Sequence, residues 1–264
     1  MLLERIQQNA SLLAEHPAYR CGEDSLTYSQ LWNAASLLAA QLQDSAGAVA
    51  LIGTKQPMMA VGMLGSLLAG RPYLPLSSDQ PKERLQRILS QANPGTVIDC
   101  REAKAEQWLK REPATQNFLI PGDPSRDAYW LFTSGSSGSP KGVRISLAAL
   151  ENFVRWFCAL PAIRFRKEPG VALNQAQFSF DLSVADLWPA WMMGETVFAL
   201  EPSQQADLDT LYRALGESGA TRMSCTPSFA RLCLCDKSFQ RELMPALQTV
   251  FFCGETLPAR TVRQ

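Results

Sequence analysis

Three features of this sequence predict an α/β fold with largely parallel, buried sheets. Short apolar runs alternate along the chain with stretches of helical periodicity, the order expected of strand–helix–strand connections. Some of the runs, such as "AVALIG" at 48–53, are apolar at successive positions, as in strands covered on both faces. At 264 residues with 46% hydrophobic side chains, the chain can enclose one large or two modest cores.

Leu2, Leu3, Ile6, Ala10 and Leu13 recur at helical spacing, so a first helix is predicted over 2–14. "SLTYSQL" (25–31) runs into a second helix through Leu38 and Leu42. The strand at 48–53 is followed by "MMAVGMLGSLLAG" (58–70), apolar nearly all round and therefore a buried helix. An extended "RPYLPL", an amphipathic helix near 81–92 and a strand at "TVID" come next. After a polar stretch (101–126), a strand at 128–133 enters a hydroxyl-rich loop, and a helix follows at about 147–159. Further strands are expected at 170–174, 196–200, 221–224 and 248–252, with helices near 182–192, 207–218 and 227–235. The segment 101–126, with Pro113, Pro121 and Pro124, divides the chain into two α/β subdomains, 1–126 and 127–264. "FFCGETLPARTVRQ" reads as a strand, a turn and a helix just begun, with Pro258 near its start.

Composition removes several function classes. Lys plus Arg is 25 and Asp plus Glu is 25, so no net field draws the chain to nucleic acid or an anionic membrane. No segment reaches the ~18 uninterrupted apolar residues of a membrane span. The N-terminal leucines are broken by charge and Gln, which spoils them as a secretory signal. Seven cysteines at irregular spacing and the single histidine, His16, suit neither a zinc site nor a disulfide framework. The expected compartment is the reducing cytoplasm.

The segment with most chemical content is "TSGSSGSPKG" (133–142). Bare backbone amides can curl round an anion, hydroxyls can donate to it and Lys141 adds a point charge. It is not the nucleotide loop G-x-x-x-x-G-K-[ST]: Pro140 precedes Lys141, and Gly142 stands where a magnesium-binding hydroxyl would follow. A flexible linker is the bland alternative, but it leaves unexplained the apolar strand Tyr129, Trp130, Leu131 and Phe132 before it. The second site candidate, Asp181 in "FSFDLS", is either the partner of a substrate ammonium group or a helix N-cap.

On these residues the chain resembles the adenylate-forming superfamily of acyl-CoA synthetases, luciferases and peptide-synthetase adenylation domains. "LTYSQL" (26–31), "LLAGRPYLPLS" (67–77), the loop at 133–142, "FSFDLSVADLWPAWMMGE" (178–195) and "FFCGETLP" (251–258) follow the superfamily's motif order. "NQAQFSFDLSVADLWP" (174–189) and "CTPSFARLCL" (225–234) are closer still to its D-alanine–D-alanyl carrier protein ligase branch. The resemblance implies the N-terminal core of the adenylate-forming fold: stacked, largely parallel sheets flanked by helices and incomplete at the C-terminus. It implies ATP-dependent activation of a small amino acid, D-alanine in that branch, as an aminoacyl-adenylate. Transfer to the phosphopantetheine thiol of a carrier protein follows, with ATP and Mg2+ as cofactors.

Residue by residue, the resemblance gives Thr133, Ser134, Gly135, Ser136, Ser137, Gly138, Lys141 and Gly142 to the phosphates, with Thr133 and Lys141 also catalytic. Ser137 stands where many relatives have threonine and keeps the hydroxyl. Asp181 is given to the substrate ammonium group, and Leu182, Ala185 and Cys253 to a small side-chain pocket, with core packing an open alternative for Leu182 and Ala185. Gly254 and Glu255 match a turn near the adenine and the acyl group, whereas Asp186 reads as a structural or surface carboxylate. Cys253 has no histidine near it in sequence and is not expected to be a nucleophile. No metal ligand is expected within this stretch, because the superfamily's magnesium-binding acid, ribose-binding aspartate and C-terminal lid domain match nothing here. The chain alone is therefore expected to be inactive. Two other readings stay open: an adenylation domain of a peptide synthetase for another small amino acid, and a noncatalytic nucleotide- or carrier-binding module.

Overall fold

The computed structural model describes residues 2–103, 123–134, 139–164 and 169–263. Two sheets organise them. In one, β1 (Pro17–Cys21) and β2 (Asp24–Thr27) form an antiparallel pair at one edge. The rest, β8 (Val171–Asn174), β9 (Thr196–Ala199), β10 (Arg222–Cys225) and β11 (Thr249–Phe252), is parallel, and the strand order is β11-β10-β8-β9-β1-β2. The other sheet has the order β5-β3-β4-β6-β7, from β3 (Val49–Gly53), β4 (Tyr73–Ser77), β5 (Thr96–Asp99), β6 (Asp127–Ser134) and β7 (Pro140–Ser146). Only the β6–β7 hairpin is antiparallel there.

Strand alternation sorts side chains to the two faces of each sheet. Val49 and Leu51 of β3, with Ala172, Val197 and Ala199 of the other sheet, enter one shared core. Between the sheets lie α1 (Leu2–Leu12), α2 (Tyr28–Gln41), α3 (Pro57–Leu68), α5 (Leu147–Ala159) and α7 (Leu182–Met193). The opposite faces are covered separately. Ala50, Leu74 and Leu76 pack under α4 (Lys82–Ala92), and Leu173, Phe198 and Met223 under α8 (Leu208–Ser218) and α9 (Pro227–Cys233). The result is helix, sheet, helices, sheet, helices. Both sheets are thus buried on two faces, which is why their parallel strands read as apolar runs. The short α6 (Pro161–Arg164) and α10 (Ala259–Arg263) complete the described helices.

The observed elements depart from expectation in three places. Residues 17–27, where no strand is predicted, form the β1–β2 hairpin at a sheet edge. The hydroxyl-rich loop ends sooner than its composition suggests, because Pro140 to Ser146 pair along β6 as β7. Strands from both sides of residue 126 enter both sheets, so a division into 1–126 and 127–264 does not coincide with the division into sheets. Most of the segment 101–126 lies outside the described residues.

Candidate active site

Two adjoining clefts open between the sheets, and Phe180 and Asp181 form the wall they share. The first, of about 640 Å3, is lined by Phe153 and Trp156 of α5, Gln175 to Gln177 after β8, Phe180, Asp181, Leu182 and Ala185, Thr226, Phe251, Cys253 and Gly254. The second, of about 460 Å3, lies between the β6–β7 hairpin and α4 and is lined by Gln80, Arg84, Tyr129, Thr133, Val143, Phe180 and Asp181, among others.

Five of the six residues assigned to the amino-acid site therefore face one cleft: Asp181, Leu182, Ala185, Cys253 and Gly254. They come from two distant segments. Asp181, Leu182 and Ala185 sit at the start of α7, while Cys253 and Gly254 follow β11, and β10–β8 pairing sets the separation between them. Gly254 turns the chain at φ +86°, a left-handed conformation that favours glycine. Glu255 is the exception: its carboxylate accepts from Ser228 N at 3.1 Å and from Ser228 Oγ at 2.6 Å, which ties it to the start of α9.

Asp181 precedes α7 with helical backbone angles, and its side chain makes no capping hydrogen bond. Nothing in the local geometry uses its carboxylate as a cap, and it lies exposed at the border of both clefts rather than buried. Its negative charge is felt on either side. Burial first, then Asp181, pushes the Tyr129 phenol up to about 12. Burial, then Asp186 and Asp181, raise the Cys253 thiol above its ordinary value, so Cys253 rests as the thiol and not the thiolate.

The phosphate-loop candidates divide. Gly135, Ser136, Ser137 and Gly138 lie outside the described residues. Ser134 ends β6 opposite Pro140. Thr133 and Lys141 are cross-strand partners, both exposed at the open end of the hairpin, and Thr133 lines the second cleft. Gly142 is paired with Phe132, and a Cβ there would meet the Phe132 ring at 3.0 Å. A side chain there would press on the end of that aromatic ring, so the glycine has a packing reason besides anion approach.

Several cleft residues carry no motif that sequence reading could use. Arg84 and Gln80, joined at 3.0 Å, bring the cation of the second cleft from α4. Trp156, 51% exposed, and Phe251 meet edge-on at 6.4 Å between centroids and wall the first cleft. An aromatic three residues after Phe153 on α5 reads as core, and only the turn of the helix toward the cleft reveals it.

Beneath α7 lies a buried polar system. Asp186, 0% exposed, accepts from Asn174 Nδ2 at 3.1 Å, and burial raises its carboxyl to about 6 against the opposing pull of Arg222. It is structural, as expected, but not a surface carboxylate. Arg222 donates to Glu195 Oε2 at 2.7 Å and to the Ala185 and Asp186 carbonyls at 3.2 Å each. Pro189 has no N–H to offer the Ala185 carbonyl four residues back, and Arg222 supplies that donor.

The profile of the AMP-binding enzyme family matches residues 6–264. The chain belongs to the AMP-binding enzyme family. D-alanine–D-alanyl carrier protein ligases of Bacillus licheniformis and Listeria monocytogenes are 36% and 33% identical to it over its whole length. The chain spans 55% of each of those relatives, about half their length. Among solved structures, the nonribosomal peptide synthetase FmoA3 superposes with a TM-score of 0.85 at 22% identity, covering 100% of this chain and 29% of that one. VinN in complex with L-aspartate gives 0.85 at 17% identity, covering 100% and 71%. At such identities these neighbours establish the fold: the stacked, largely parallel sheets are those of adenylation domains in this AMP-binding family. Among the described residues no helix is long and apolar enough to cross a membrane.

Proposed function

We propose that this chain carries the amino-acid and phosphate sites of an AMP-forming ligase that activates a small amino acid, D-alanine, for transfer to a carrier-protein thiol. The observation that carries the proposal is Asp181: a carboxylate uncommitted to its helix, on the wall common to both clefts. An ammonium group held there leaves the substrate's own carboxylate directed toward the second cleft, where ATP phosphates would meet Thr133, Lys141 and Arg84. In the first step a carboxylate oxygen bonds to the α-phosphorus, the bond from that phosphorus to the bridging oxygen breaks and pyrophosphate leaves. In the second, the phosphopantetheine sulfur of the carrier attacks the acyl carbon and AMP leaves with the electron pair.

The chain's part is to align and to neutralise. Asp181 fixes the ammonium group, Ala185, Cys253 and Gly254 bound the side chain, and Lys141 with Thr133 offsets charge on the departing phosphates. Magnesium would further neutralise those phosphates. Among the described residues no group of three or more His, Cys, Asp or Glu side chains is arranged to hold a metal. The curated relatives favour D-alanine over the peptide-synthetase alternative, whose support is fold alone. Amino-acid-dependent pyrophosphate exchange by the full-length protein tests the proposal, with D-alanine, L-alanine and glycine compared. D-alanine should be preferred; exchange with none of the three contradicts the reading.

A further inference from the structure

The segment 175–179 is a thin partition. Gln175 and Gln177 line the amino-acid cleft on one side and, on the other, a rear cavity of about 250 Å3 bounded also by Gly53, Thr54, Lys55 and Ser77. A wall with space behind it can yield, so something must hold it forward. Among the described residues, the only lysine with a fully buried side chain stands at its foot. Lys55, 2% exposed, lies in the turn after β3, in the opposite sheet from Asn174 at the end of β8. Its ammonium group donates to Asn174 Oδ1 and to the Ala176 carbonyl, and it sits 4.2 Å from the centre of the Phe178 ring. Asn174 passes the connection on, donating to Ala176 O at 3.2 Å and to Asp186 Oδ2 at 3.1 Å. Asp186 belongs to α7, the helix that begins just after Asp181. The turn holding Lys55 is itself fixed, because Tyr19 donates to the Lys55 carbonyl at 2.8 Å.

We propose that Lys55 is a positioning residue for the amino-acid site: with Asn174 it pins the partition 175–179, and through Asp186 the start of α7, against the opposite sheet. The inference rests on reading the first cleft as the amino-acid site. A lysine is otherwise hard to account for here, since burial lowers its ammonium group to about 7 against the pull of Asp186. Burying an ammonium group costs several kcal/mol unless it is well bonded, and an apolar side chain would fill the same space more cheaply. Lys55 touches no part of either cleft's aromatic or carboxylate wall that would bind substrate, so it acts through the partition and not by contact.

The test uses Lys55→Met in the full-length protein with two readouts. Hydrogen exchange should quicken about tenfold or more in peptides covering 174–181, where Phe180 N donates to Gln177 O at 3.0 Å, and stay unchanged across β3 to β5. The KM for D-alanine in pyrophosphate exchange should rise about tenfold or more while that for ATP stays within about twofold. Lys55→Gln, which keeps two N–H donors, should recover part of the D-alanine KM. A structural role alone predicts uniform loss of protection and equal effects on both substrates, and that outcome, or unchanged exchange at 174–181, overturns the proposal. If Lys55→Met does not fold, Asn174→Ala is read in the same two ways, and unchanged exchange at 174–181 again overturns it. The exchange readout needs no turnover, so a parent protein without D-alanine activity sinks the proposed function and leaves the Lys55 anchor to be decided separately.

Discussion

Gly254 sits at φ +86° with nothing nearer to its missing side chain than Thr226 Cγ2 at 3.6 Å, an ordinary contact. The constraint there is conformational and not steric. Gly254→Ala should cost about 1–2 kcal/mol, the penalty of a left-handed L-residue, and shift the urea midpoint accordingly. An unchanged midpoint would mean that the turn relaxes freely and does not shape the cleft. Lys141 is exposed, so Lys141→Ala should leave stability as it is. A charge-assisted phosphate contact is worth about 1.5–3 kcal/mol, which predicts roughly a ten- to hundredfold slower pyrophosphate exchange in the full-length protein. An unaltered rate would remove Lys141 from the phosphate site. At this scale the apolar neighbours of Asp181 suggest a carboxylate that is costly without a partner, and its exposure removes that cost; what its position shows is a place at the border of both clefts. The sequence was illegible where the partner comes from elsewhere. Gly142 reads as a phosphate glycine until Phe132 is seen across the hairpin, and Arg84 reads as a solvated helix position until α4 is placed beside β7.

Helix α7 carries the site and also its main defect, Pro189 in its interior. Arg222, from β10, donates to the Ala185 and Asp186 carbonyls and pairs with Glu195, so a buried strand arginine mends the helix that bears Leu182 and Ala185. Arg222→Met removes donors and counter-charge together. The expected loss is about 3–5 kcal/mol in urea unfolding, as for other broken buried pairs; less than about 1 kcal/mol would show that Arg222 is not needed to hold α7. The helices and parallel strands were readable as elements because their apolar periods are local. The two hairpins were not. Arg20 interrupts β1, Asp24 and Ser25 stand on the edge strand β2, and Lys141 and Arg144 on the edge strand β7; such polar residues erase the apolar run by which the other strands are recognised. For the same reason the sheet partners, which carry β1 and β2 into the later sheet, have no local signature.

Across the whole molecule, Asp186 makes stability depend on pH in an unusual direction. Its folded carboxyl stands at about 6, above the ~3.9 of an unfolded chain, so between those values the folded state binds more protons. Its contribution is therefore full below about pH 4 and falls as pH rises to about 6, by roughly 3 kcal/mol at 1.36 kcal/mol per unit. Ordinary paired carboxylates slope the other way, so the measurement is the difference between parent and Asp186→Asn from urea unfolding at pH 4 to 7. That difference should shrink, or turn against the parent, as pH rises; a constant difference would contradict a buried, raised carboxyl. The central claim is that one carboxylate at the meeting of two clefts selects an amino-acid substrate. Because Asp181 is exposed in the open cleft, its loss should resemble a charged hydrogen bond, about 1.5–3 kcal/mol, more than the stranding of a buried ion pair. The deciding measurement is the ratio of D-alanine KM to ATP KM in pyrophosphate exchange by full-length Asp181→Asn against the parent. That ratio should rise roughly ten- to hundredfold with the unfolding midpoint unchanged; a ratio within a few-fold of the parent would contradict Asp181 as the ammonium partner and remove the main physical support for an amino-acid substrate.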